Sequence, residues 1–109
     1  MAAGAVVELA EGSPDQVSNA VAFALKNVLG LVYDPVGGLV EIPCIKRNAM
    51  GAANVLISSD MALAGIKSFI PADEVIDAMY NVGRMMPVEL KETALGGLAA
   101  TPTGRNFMV

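Results

Sequence analysis

The chain has no histidine. Histidine-based catalytic triads and histidine metal sites therefore cannot be built from it alone. Cysteine is nearly absent too: Cys44 is the single thiol, so no disulfide framework can form within the chain. The opening Met1-Ala-Ala-Gly-Ala-Val-Val-Glu8 has no basic region ahead of an apolar run and does not read as a secretory signal, so a reducing cytoplasm is the expected compartment. Charge is scarce, at 17% of residues against roughly 25% in ordinary soluble domains. The net charge is −4 and the seven Lys and Arg stand singly or in one pair. No basic stripe exists to meet a phosphate backbone, so nucleic acid is not an expected partner. Neither a phosphate-loop pattern nor a dinucleotide-binding glycine fingerprint occurs. A membrane span needs about 20 apolar residues with few charges, and Lys26 and Asp60 interrupt the two most apolar segments. No membrane partner is expected. Strand-like alternation, internal repeats and low-complexity segments are missing as well.

What is present is apolar. Of 109 residues, 54% are hydrophobic, enough for the core of one domain but little for an enzyme with a complete active site. Such a composition predicts that much of the chain faces other protein, through a homo-oligomer or against a missing domain.

Residues 2–10, rich in Ala and Val and closed by Glu11-Gly12, read as the end of a helix with no polar cap before it, which predicts a fragment of a longer polypeptide. Ser13-Pro14-Asp15-Gln16 supplies a cap, a first-turn proline and a capping-box glutamine. The helix they start carries Val17, Ala20, Val21, Ala24, Leu25 and Val28 at spacings of three and four. Lys26 falls at its end, where a cation balances the helix dipole, and Gly30 is a natural terminator. Asn48 can cap a second helix over residues 49–66, apolar nearly all round, which places it in the middle of a bundle. Ser58, Ser59 and Asp60 interrupt that helix and are expected at the surface. Pro71 begins a third helix with Ala72, Val75, Ile76, Met79, Gly83 and Met86 on its apolar face. Asp73 and Asp77, four apart on the other face, read as solvated acids without chemistry. Pro87 should start a shorter helix over residues 88–95, closed by Gly96-Gly97. The remaining tail is expected to be extended or frayed, with threonines and Arg105 that could meet an anion.

The fold class is therefore all-α, a helical bundle with a Pro/Gly-rich loop between two apolar helices. That loop, residues 31–48, is the candidate site; the bland alternative is a turn that only connects. Cys44 could be a small buried apolar residue. As chemistry, it could be a thiolate just before a helix N-terminus, where the dipole and the Lys46-Arg47 pair favour the anion. A redox switch at Cys44 would lack a resolving cysteine within the chain.

The run Asp34-Pro-Val-Gly-Gly-Leu-Val-Glu-Ile-Pro-Cys-Ile-Lys-Arg-Asn48 is followed by Gly51-Ala-Ala-Asn54, Asp60-Met-Ala-Leu-Ala-Gly-Ile66, Ile70-Pro-Ala-Asp-Glu-Val-Ile-Asp-Ala-Met79 and Glu92-Thr-Ala-Leu-Gly-Gly-Leu-Ala-Ala-Thr-Pro-Thr-Gly-Arg105. These segments, spread over nearly the whole chain, resemble the C-terminal part of the alpha (catalytic) domain of iron-sulfur-dependent bacterial L-serine dehydratase. The resemblance implies that residues 1–109 are the C-terminal portion of a larger helical domain and that loop 31–48 is a cluster site. It implies an L-serine ammonia-lyase that makes pyruvate and ammonia, using a 4Fe-4S cluster held by three cysteines with one iron open as a Lewis acid for the departing hydroxyl. The implied partners are L-serine, the upstream part of the alpha domain, and a beta domain or subunit. Cys44 matches a cluster cysteine, making it the implied metal and cofactor ligand. Lys46, Arg47 and Asn48 match the adjoining Lys-Arg-Asn motif and are the implied catalytic residues, orienting substrate or cluster.

Two departures bear on this. Where the family pattern has Cys-Asp-Pro, this chain has Tyr33-Asp34-Pro35, a phenol in place of a second ligand. The third ligand of the pattern lies in a Gly-Gly-Cys segment upstream of residue 1. A single thiolate cannot hold the usual cluster. Two expectations follow: a piece of a serine dehydratase that is incomplete until joined by that segment, or a non-catalytic helical remnant or interaction subunit that has lost cluster binding.

Overall fold

The computed structural model describes residues 1–107. Five α-helices and no extended strand occur among them: α1 (Ala2–Leu9), α2 (Pro14–Lys26), α3 (Cys44–Leu63), α4 (Ala72–Met85) and α5 (Pro102–Arg105). Three 3-10 turns, Val36–Gly38, Val88–Leu90 and Gly97–Ala100, lie in the connections. The all-α expectation holds, and the Pro/Gly-rich loop lies between α2 and α3.

α2 starts where its sequence says it should. The Ser13 hydroxyl accepts from the Gln16 N–H and the Gln16 side chain accepts from the Ser13 N–H, satisfying two of the N–H groups that a helix start leaves without intrahelical partners. Lys26 is in the last turn, as expected, with its ammonium 5.2 Å from the centre of the Phe23 ring. α2 is also the hub of the bundle: α1, α3 and α4 each pack on it, and α1 packs on α3. The core is made of Ala3, Val7, Ala20, Phe23 and Ala62, with Val17, Ala24, Val55, Met61 and Leu63 partly buried against it. Four of these ten are alanines, so the helices approach closely but bury little apolar area.

Several sequence expectations are corrected. α3 begins at Cys44 rather than residue 49, because its first N–H groups already find carbonyls upstream, Ile45 on Glu41 and Lys46 and Arg47 on Pro43. Asn48 is thus inside the helix and caps nothing. The helix ends at Leu63, where Gly65 at φ +90 turns the chain away. Ser58 and Ser59 are fully buried, not exposed. Their hydroxyls donate to Asn54 Oδ1 and to the Leu56 carbonyl, which removes the cost of burying them. α3 is not in the middle of the bundle: one side packs on α1 and α2 while Ile45, Met50, Leu56 and Ile57 are exposed on the other. After Pro87 only the 3-10 turn Val88–Leu90 forms, since Glu92 and Ala94 adopt φ near +60 and break any helix. Of the expected frayed tail, residues 98–105 are folded, with Ala99 and Gly104 buried, and residues 108–109 lie outside the described residues.

The molecule is flat and elongated, 49 × 25 × 15 Å, with a radius of gyration of 16.3 Å. A compact chain of about 100 residues would have about 13 Å.

Candidate functional site

Cys44 is the first residue of α3 and is half-buried. Being three residues apart on a helix, Cys44 and Arg47 share a face, and both are half-buried, whereas Lys46 and Asn48 are exposed. The motif therefore divides: Arg47 turns inward with the thiol, and its two neighbours face outward.

Arg47 is engaged by the preceding loop. Its Nη1 donates to the Val32 carbonyl at 3.2 Å and pairs with Asp34 Oδ1. The other oxygen of Asp34 accepts the Leu98 N–H at 2.7 Å. Asp34 is 1% exposed. One carboxylate thus joins three segments far apart in sequence: the loop, the first turns of α3 and the C-terminal turns. Burial pushes the Asp34 carboxyl up, but the Leu98 N–H, the hydrogen bond from Arg47 and the charge of Arg47 together outweigh it, and the group is held below its ordinary range. Gly97 adjoins this clasp at φ +60, and a Cβ there would come within 3 Å of the Asp34 carboxylate. Thr101 is spent on local structure: its hydroxyl accepts from the Gly104 N–H to cap α5 and donates to the Leu98 carbonyl. The buried Gly104 leaves no room for a Cβ against that same carbonyl.

Tyr33 is oriented by both backbone groups. Its N–H donates to the Leu90 carbonyl and its carbonyl accepts from the Glu92 N–H, a parallel bridge to residue 91. Its side chain, 60% exposed, lines a groove of about 580 Å³ with Leu31, Met79, Tyr80, Met86 and Leu90. Cys44 is not among the residues lining it.

The residues present do not by themselves fit a 4Fe-4S cluster. No group of three or more Cys, His, Asp or Glu side chains placed to hold a metal ion occurs among the described residues. Asp34, one of the two carboxylates within the candidate loop, is occupied by Arg47 and Leu98. What the chain offers is one thiol at a helix start, on a turn anchored by Arg47. No helix here is long and apolar enough to cross a membrane, among the described residues.

In the sequence Asp34 stands out only as part of longer motifs, and residues 97–104 only as a helix stop and a tail whose threonines could meet an anion; the partner of Asp34, Leu98, is 64 residues away, a pairing that no local periodicity encodes.

Comparison with known proteins gives a consistent picture. The family model described as "Serine dehydratase alpha chain" matches residues 1–99. The chain is 68% identical over 107 residues to "Probable L-serine dehydratase, alpha chain" of Bacillus subtilis, a match covering 98% of this chain and 36% of that one. It is 62% identical over 104 residues to the protein of the same name from Latilactobacillus sakei, covering 95% of this chain and 50% of that one. Against "L-serine dehydratase, alpha chain" of Peptoniphilus asaccharolyticus the identity is 51% over 107 residues, 98% and 37% of the two chains. The chain thus spans between about a third and a half of the length of these curated relatives.

Proposed function

The chain belongs to the serine dehydratase alpha chain family, and from that premise we propose that it is part of an L-serine ammonia-lyase converting L-serine to pyruvate and ammonia, incomplete in isolation. The observation that carries this reading is the local match between motif and geometry. Cys44, the one residue able to serve as a thiolate ligand, is the first residue of α3 and half-buried. Arg47, one turn on, fixes that turn to the loop. The 4Fe-4S cluster belongs to the assembled enzyme; Cys44 is this chain's contribution, the Gly-Gly-Cys thiolate of the family pattern comes from the part of the alpha chain that the relatives carry outside the match, and the remaining ligand position falls on Tyr33. When bound, such a cluster supplies an open iron that eases departure of the serine hydroxyl.

Within this reading the motif residues have different tasks. Arg47 is a positioning residue, since its guanidinium is already committed to Val32 and Asp34. Lys46 and Asn48, exposed on the first turns of α3, are the pair free to orient substrate once the site is closed. The beta domain or subunit, the cytoplasmic setting and a homo-oligomeric enzyme are parts of the same proposal.

Tyr33 favours a second reading, a non-catalytic remnant. A phenol stands where the family pattern has a cysteine, and its backbone is tied to residues 90–92 with the side chain on the wall of an apolar groove. The two readings separate on iron and acid-labile sulfide per chain after anaerobic reconstitution with the missing alpha-chain part supplied. Near-stoichiometric cluster that disappears in Cys44→Ser, together with pyruvate formed from L-serine, is expected for the enzyme. Iron no higher than in Cys44→Ser would leave the remnant reading standing.

A further inference from the structure

α3 is built inside out for a helix covered on one side only. The face that packs on α1 and α2 carries Gly51, Asn54, Val55, Ser58 and Ala62, small or polar for the most part. The outward face carries Ile45, Ala49, Ala52, Ala53, Leu56 and Ile57, all exposed, at the spacings of three, four and seven that define one side of a helix. No charged residue lies between Arg47 and Asp60. The stripe runs about 18 Å along the axis at 1.5 Å per residue, and its alanines allow a neighbouring backbone to approach closely.

The size of the exposed surface agrees. A closed monomer of 11.2 kDa is expected to expose about 5,700 Å², whereas this chain exposes 7215 Å². The excess exceeds the roughly 800 Å² per partner of a standard interface, as for a surface cut through the middle of a domain.

We propose that the outward face of α3 is the docking surface for the part of an alpha chain lying outside the matched region, seated as an apolar helix along the stripe from Ile45 to Ile57. The inference rests on the family reading above. The length of the relatives argues for this occupant, since almost two-thirds of the Bacillus subtilis protein falls outside its match with this chain. Continuity with the site argues for it too. The stripe begins one residue from Cys44, so whatever covers it is brought beside the one thiol.

The test is co-expression of the full chain with a tagged polypeptide comprising the Bacillus subtilis protein outside its 107 matched residues. Affinity purification and light scattering read the stoichiometry, with no iron or serine required, so the result is independent of whether a cluster forms. A 1:1 complex is expected, with recovery of the chain falling at least tenfold in Leu56→Glu and Ala53→Glu. Both positions are exposed, and far-UV circular dichroism of each variant checks that the helices remain. Ile76→Glu, which places the same charge on an exposed apolar residue of α4, is expected to co-purify as the wild type. Absence of a complex would overturn the proposal, as would equal loss in Ile76→Glu or full retention in both α3 variants. A homodimer of the chain that persists beside the partner and is dissociated by Leu56→Glu would assign the face to self-association instead.

Discussion

At the scale of single residues, Asp34 decides more than the cysteine that drew attention to its loop. Its two oxygens meet a guanidinium and a backbone N–H from segments 13 and 64 residues away. Asp34→Asn keeps an oxygen for Leu98 but turns an amide donor toward Arg47, leaving a partly buried cation without its counter-ion. Removing one partner of a buried pair costs about 3–5 kcal/mol. Because the Arg47 side chain is 26% exposed, a loss of about 2–3 kcal/mol in urea unfolding is expected. The same pair sets a pH dependence. The folded-state carboxyl lies below its ordinary value, so as pH falls the unfolded chain takes up the proton first and stability drops. The advantage of wild type over Asp34→Asn should be constant above about pH 5 and shrink as pH falls below about 4, the ordinary carboxyl range. Unfolding midpoints of both proteins from pH 6 to 3 check this. A gap that stays constant to pH 3, or widens, would mean Asp34 does not act as the ionised partner of Arg47.

At the scale of elements, the C-terminal turns depend on the clasp rather than on helix length. The four-residue α5 and the 3-10 turn before it are too short to persist alone. They hold because Leu98 donates to Asp34, Thr101 caps α5, and Gly104 lets the Leu98 carbonyl lie against it. Gly97→Ala brings a methyl against the Asp34 carboxylate at a φ of +60, where an L side chain is strained. Residues 97–105 should then detach while α1–α4 remain. Trypsin cleavage after Arg105 is expected to accelerate several-fold, with the far-UV spectrum little changed; an unaltered cleavage rate would show that the turns do not need the clasp. These elements also mark what the sequence could reveal. The capping box at Ser13 and the apolar spacing of α2 are local, and both were readable. The early start of α3 was not, because it depends on carbonyls of Glu41 and Pro43 presented by the loop. The burial of Ser58 depends on Asn54, which also reaches across to the Ala24 carbonyl of α2 and to Asn27 just past its end. Interhelix polar links of this kind leave no trace in one-dimensional periodicity. Of the site, the motif was legible and its inward and outward division was not, since that division depends on α3 starting as early as Cys44 and on Val32 and Asp34 receiving Arg47.

At the scale of the whole molecule, the sequence reading of α3 as a helix buried on all sides and its exposed position in the isolated chain describe two states of assembly. Its apolar surround is a property of the residues; what covers the second side is supplied from elsewhere. The isolated chain should carry a thermodynamic mark of this. Unfolding heat capacity rises with the apolar surface newly exposed, and a closed domain of this length would show about 1.3–1.6 kcal/mol/K. Here Ile45, Leu56, Ile57, Phe69 and others already meet water in the folded state, so the value measured by calorimetry should fall clearly below that range. The slope of stability against urea should be shallow for the same reason. A dye that binds apolar surface should be bound by the folded chain and released when the remainder of an alpha chain is present. A heat capacity within or above the closed-domain range, at a concentration where the chain is monomeric, would mean that it buries its own apolar faces and has no need of a partner to complete the fold.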